Sequence, residues 1–291
     1  MGSSPGMSRI GLVLGGGGVV GIAWEIGVLQ GLADATGFDP TTASVIVGTS
    51  AGSVVGSRLL LGESLEELAA EQEGPERIGT DRVAPDPAAM MEVFQLWTSE
   101  PQMTPELARK VGEKSCEAAK MDERDWRESF TEMIGIDWPD GDLRVTAVSV
   151  TTGERVVWTG ASGVALSAAV ASSCAVPGLF PPVTVTDDER FVDGGLWSGS
   201  NADLAAGAGV ERALFIGPMG MGQGMLGKLS AGNIERERKE LARAGIVLDV
   251  IQPGPEFAEQ GLNLMDVSKR ADALAIGRND GSRAASDFAL G

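Results

Sequence analysis

Residues 44–56 read SVIVGTSAGSVVG. An apolar run, Val45-Ile46-Val47, turns through Gly48-Thr49-Ser50-Ala51-Gly52 and passes into a second stretch of small and apolar residues. The form is G-x-S-x-G, in which a strand turns sharply into a helix and presents a serine hydroxyl at the bend. Gly48, Ala51 and Gly52 leave the space that such a bend needs. Over these residues alone, a plain strand-to-helix turn whose serine caps the helix reads the same way. An activated serine usually hands its proton to a histidine, and this chain of 291 residues contains none. If Ser50 is a nucleophile, its base is a carboxylate, a lysine or a backbone amine.

Upstream, IGLVL (10–14) runs into four glycines and then into VVGIAWEIGVLQGLADATG (19–37). There Ile22, Ile26, Leu29 and Ala33 fall at helical spacing, and Gly37 is a stop. Strand, glycine turn and helix, twice over, predict an α/β fold: a mostly parallel sheet with helices on both faces. From 62 to 140 the chain turns acidic and helical, broken by Pro75, Pro85, Pro87, Pro101 and Pro105. That segment reads as a helical insertion within a single domain spanning 9–291, after a flexible leader at 1–8. Met90, Met91, Val93, Phe94, Leu96 and Trp97 read as packing residues. Further strands are expected over 143–153, 155–160, 213–217 and 245–254, with helices over 163–176 and 233–245. The Gly- and Met-rich stretch 218–227 reads as a surface loop. With the helices near 90–97 it would flank an acyl-chain entrance.

The net charge of −18, from 23 basic and 41 acidic residues, repels phosphates, so no nucleic-acid partner is expected. An uncharged or zwitterionic substrate meets no such barrier. Cys116 and Cys174 form neither a disulfide framework nor a C-x-x-C pair and read as small buried hydrophobes. No metal or cofactor is expected. The opening residues lack the long apolar region of a secretory signal, and no uninterrupted run approaches the ~18 apolar residues of a membrane span. A soluble, cytoplasmic protein is the expectation.

Two other stretches carry chemistry. LGGGGVVG (14–21) closes the first strand, and its amides, at the positive end of a helix, form a nest for a phosphate or an oxyanion. A Walker loop would need Lys-Ser or Lys-Thr after the last glycine. A dinucleotide site would need an acid at a strand end about 20 residues on, and Asp39 lies in a turn instead. RFVDGGLWSGSNADLA (190–205) places Asp193 after a short apolar pair and before two glycines. An ordinary Asp-Gly turn has the same form, but without histidine Asp193 is the acid best set to serve Ser50.

These three elements, in this order, resemble the patatin-like phospholipases, as does the linking segment ASSCAVPGLFPPV (171–183). The resemblance covers about residues 9–217. It implies a serine–aspartate dyad of Ser50 and Asp193, an oxyanion hole from the amides of Gly16, Gly17 and Gly18, and a lipid or phospholipid ester as substrate. It also allows transient membrane contact and leaves the oligomeric state open. The family carries Arg or Lys where this chain has Val20, which weakens any expectation of strong preference for anionic headgroups. Three other readings fit the residues: an acyltransferase using the same dyad, a nucleotide-binding module, and a catalytically silent scaffold.

Overall fold

Short aliphatic runs bounded by glycine build the centre of the molecule. The computed structural model describes residues 9–75, 86–118, 120–186, 188–207, 209–219, 225–259 and 263–287. Residues 1–8, expected as a leader, and residues 220–224 of the stretch 218–227 lie outside the described residues. The strands are β1 (Ile10–Leu14), β2 (Val45–Gly48), β3 (Leu143–Ser149), β4 (Arg155–Trp158), β5 (Val183–Thr186), β6 (Glu189–Asp193), β7 (Arg212–Ile216) and β8 (Val247–Ile251). They form one eight-stranded sheet, ordered β5-β6-β3-β2-β1-β7-β8, with β4 paired to β3. The pairings among β3, β2, β1, β7 and β8 are parallel.

The remaining pairings are antiparallel. The loops 150–154 and 187–188 are too short for the crossover that a parallel pair requires. One consequence decides the site. Val145 pairs with both Gly48 and Trp158, while Ala147 pairs with both Asp193 and Val156. β2 and β6 therefore lie opposite β4, on the same edge of β3. They meet head to head there, and Gly48 and Asp193 sit two β3 residues apart.

The helices are α1 (Gly18–Thr36), α2 (Ala51–Leu60), α3 (Leu65–Gln72), α4 (Pro87–Trp97), α5 (Pro105–Ala118), α6 (Glu123–Ile134), α7 (Leu166–Ser173), α8 (Met225–Arg243), α9 (Pro255–Glu259) and α10 (Arg270–Ala284). Alternation along β1 divides the core. Leu12 and Leu14 face α1, α2 and α7, whereas Val13 packs with Ile234 and Leu241 of α8. Helices thus cover both faces. Within the 62–140 segment, Val93, Leu107, Ala108 and Val111 pack on Val148, Val150 and Val192, so this segment shares the sheet's core. Met90, Met91 and Phe94, expected to pack, are exposed, because α4 buries only the stripe through Val93.

α10, unforeseen from the sequence, lies against α1 at backbone distance: a Cβ on Gly31 would stand 2.2 Å from Arg278 O. Trp24 Nε1 donates to Asp280 Oδ2 at 2.9 Å across the same contact. α1 is long and apolar enough to cross a membrane, at mean hydropathy 1.2 over 18 residues, but 72% of that window is buried inside the protein. It is a core helix.

Glu25 is the anomaly of α1. It is fully buried, and neither carboxyl oxygen has a hydrogen-bond partner among the described residues. The Gly15 amide lies near enough to favour the charged form, yet it donates to Ile216 O at 3.0 Å. Desolvation dominates and pushes the carboxyl well above its usual range. The folded state then keeps its proton at pH values where the unfolded chain has lost it. Stability falls as pH rises from the unfolded pKa through the folded one. Glu25→Gln removes this titration, and its stability relative to wild type should grow as pH rises above the unfolded glutamate's pKa. The gain is about 1.4 kcal/mol per unit of raised pKa, read by denaturant melts; a pH-independent difference would contradict it.

Candidate active site

The nucleophile elbow follows from close packing where β1 and β2 end. A Cβ on Gly52 would stand 2.1 Å from Leu14 O, and one on Gly48 2.5 Å from Ser53 Cα, so only glycine fits at either position. Between them Ser50 holds φ 53° and ψ −117°, a left-handed conformation that costs about 1–3 kcal/mol in a non-glycine residue. Neighbouring hydrogen bonds impose it. Thr49 N donates to Leu14 O at 3.0 Å, Gly52 N to Gly15 O at 2.9 Å, and Ser50 N to Ser173 Oγ at 2.9 Å. Ser50 stands at the N-terminus of α2, where the helix dipole favours developing negative charge.

Asp193 reaches Ser50 through the meeting of strand ends on β3. The aspartate is 3% exposed. Its Oδ1 accepts from Gly195 N at 2.7 Å, and the Ser50 hydroxyl lies close enough to stabilise the carboxylate. Burial outweighs both and pushes the carboxyl up to about 7. An aspartate so placed is a far stronger base than a solvated one.

The glycine loop departs in part from expectation. Gly16 N donates to Gly199 O at 3.0 Å, so this amide is engaged and faces no oxyanion. Among the described residues, the N–H groups of Gly17, Gly18 and Val19 have no acceptor; they are the first amides of α1. Gly18 and Val19 line the same pocket as Ser50. Val20, where the resemblance led one to look for a cation, is buried and donates its N–H to Leu264 O at 3.1 Å.

A buried polar network backs Ser50 and Asp193, and motif reading missed it. Asn201 Nδ2 donates to Ser198 O at 2.6 Å and to Thr49 Oγ1 at 3.0 Å, and the Thr49 and Thr146 hydroxyls are 2.9 Å apart. Glu237 of α8 anchors this loop, accepting from Ser198 Oγ at 2.7 Å, Ser200 Oγ at 2.6 Å and Ala202 N at 2.9 Å. The serine- and asparagine-rich run after Asp193 was the available signal. Nothing local marks Glu237, one acid in a charged helix.

Two pockets flank the pair. One, beside Ser50, is lined by Ile22, Trp126, Phe130, Phe180 and Met265. The other adjoins Gly195 and Gly199 and is lined by Trp97, Met103, Trp197 and Met219, which brings two of the residues considered for an acyl entrance to one place. Cys174, buried beside Ser50, has its thiol pushed up by desolvation and serves as packing. Among the described residues, no three acidic or thiol side chains gather into a metal site.

A family model described as patatin-like phospholipase matches residues 12–206. Two solved structures resemble 98% of the chain. VipD from Legionella pneumophila is 14% identical, with a TM-score of 0.49 over 68% of its own length. The type III effector protein ExoU is 16% identical, with a TM-score of 0.45 over 54% of its length. No curated relative matches the sequence significantly. The matched span takes in the glycine loop, the elbow and Asp193 and exceeds half of the chain; the protein belongs to the patatin-like phospholipase family, a family of lipid hydrolases.

Proposed function

We propose that the protein is a serine acyl hydrolase that cleaves lipid esters through a Ser50–Asp193 dyad and an acyl-enzyme. One observation carries this reading: a buried carboxyl, pushed up to about 7, stands against the hydroxyl of a serine held in an elbow. Ser50 Oγ attacks the ester carbonyl and passes its proton to Asp193. The free amides of Gly17, Gly18 and Val19 stabilise the oxyanion. As the intermediate collapses, Asp193 returns the proton to the departing alcohol, leaving acyl-Ser50. Water, deprotonated by Asp193, then attacks the acyl carbon, and Asp193 returns that proton to Ser50 Oγ as the acid leaves.

The flanking pockets divide the substrate. Apolar side chains and the α1 amides surround Ser50, which suits the acyl chain. Gly195, next to the base, lines the other pocket, which suits the leaving alcohol. The pocket residues named on either side carry no formal charge, in keeping with an uncharged or zwitterionic ester.

Fluorophosphonate should label one site, at Ser50, and Ser50→Ala should abolish both labelling and ester hydrolysis. Labelling that persists in the folded variant would reject Ser50 as nucleophile.

Asp193 works as a base only when ionised, so kcat/KM should rise with pH and level off above about 7. The chain has no histidine to supply that limb. Asp193→Asn keeps an acceptor for Gly195 N but cannot take the proton. Activity should fall by about 10²–10⁴-fold while circular dichroism stays unchanged. A folded variant within a few-fold of wild type would exclude Asp193 as the base.

A further inference from the structure

Part of the acyl side of Ser50 is walled by a segment outside the family-matched span. At Asn263–Asp266 the chain returns to the N-terminus of α1 in a tight turn. Asn263 Oδ1 accepts from Met265 N at 3.2 Å, and Asn263 O accepts from Asp266 N at 3.1 Å. Leu264 O takes the Val20 N–H at 3.1 Å, tying the turn to α1. The approach to Gly18 is close. A Cβ there, where φ is +60°, would stand 2.6 Å from Leu264 O and 2.7 Å from Met265 Sδ. The thioether thus packs against Gly18 and forms one wall of the pocket beside Ser50.

With Met265 in place, that pocket has a cavity volume of about 20 Å3. This is room for about one water molecule, and hence for the methyl of an acetyl group. The pocket is half open to solvent, so a longer acyl chain either runs out along the open side or is buried only if one wall moves. Trp126 stacks on Phe180 at 4.1 Å and meets Phe130 edge-on at 4.9 Å, and its Nε1 donates to Ala171 O at 3.1 Å. All three rings are buried. Val19 and Ile22 belong to α1, which α10 clamps at backbone distance. Met265 is only partly buried, unbranched and rotatable about three bonds, so it is the wall that yields.

We infer that Met265 determines acyl-chain length: its side chain walls the acyl pocket, so esters of short acyl groups fit directly and a longer chain is buried there only when Met265 turns out towards solvent. The inference rests on the hydrolase reading above and names the substrate class for it. The test is kcat/KM for p-nitrophenyl acetate, butyrate and octanoate with wild type, Met265→Ala, Met265→Phe and Ser50→Ala. Wild type should favour the acetate. A single methylene in an apolar pocket is worth at least about tenfold, so the octanoate-to-acetate ratio should rise by about that factor or more in Met265→Ala. The same ratio should fall below wild type in Met265→Phe. A merely structural role for Met265 would depress all three esters together. Ratios within about twofold of wild type in both variants, with unchanged circular dichroism, would overturn the assignment. Hydrolysis that survives Ser50→Ala would instead overturn the dyad, whatever the Met265 variants do.

Discussion

Two strand ends meeting on one edge of β3 hold the site together. β2 stops opposite Val145 and β6 stops opposite Ala147 from the other direction, which brings Ser50 and Asp193 side by side. The register leaves little freedom. A one-residue slip of β6 would turn Asp193 to the opposite face and put Val192 on the Ser50 side in its place. The antiparallel turn of the sheet at β4–β6 is therefore what brings Asp193 to Ser50, since a further parallel strand could not aim its end at β2.

Burial acts on three carboxyls here with different results. Glu237 accepts from three donors, Asp193 from Gly195 N with the Ser50 hydroxyl alongside, and Glu25 from none. Desolvation raises all three. The donors around each decide its role. Glu237 is held as the anchor of the 198–202 loop, the Asp193 carboxyl is left near neutrality beside Ser50, and Glu25 keeps its proton to higher pH than a solvated glutamate.

The parallel half of the fold was legible because apolar runs and glycine turns alternate there at the βαβ period. Ser50 and Asp193 were nominated from their local settings, and the structure brings them together. β5 was not seen, since VTVT is short and half-buried at the sheet's edge. α10 was not seen either, because it meets α1 through Gly277 and Gly281 against backbone, and such a contact leaves no apolar stripe in the sequence. Gly16 was misread as a free donor because its acceptor, Gly199, lies far along the chain. Tertiary partners of this kind, like the Glu237 anchor, have no local signature.

The position of β7 bears on modularity. The family-matched residues end at 206, whereas β7 (Arg212–Ile216) lies between β1 and β8 and supplies Ile216 O to Gly15 N. The motifs thus occupy a contiguous stretch of sequence that is not a contiguous piece of architecture. A fragment cut at the motif boundary would turn β1 from an interior strand into an open edge, prone to pair with other chains, and would detach the glycine loop from one of its moorings. Grafting or excising the motif-bearing unit therefore has to carry the chain through β8, well past the last recognisable motif.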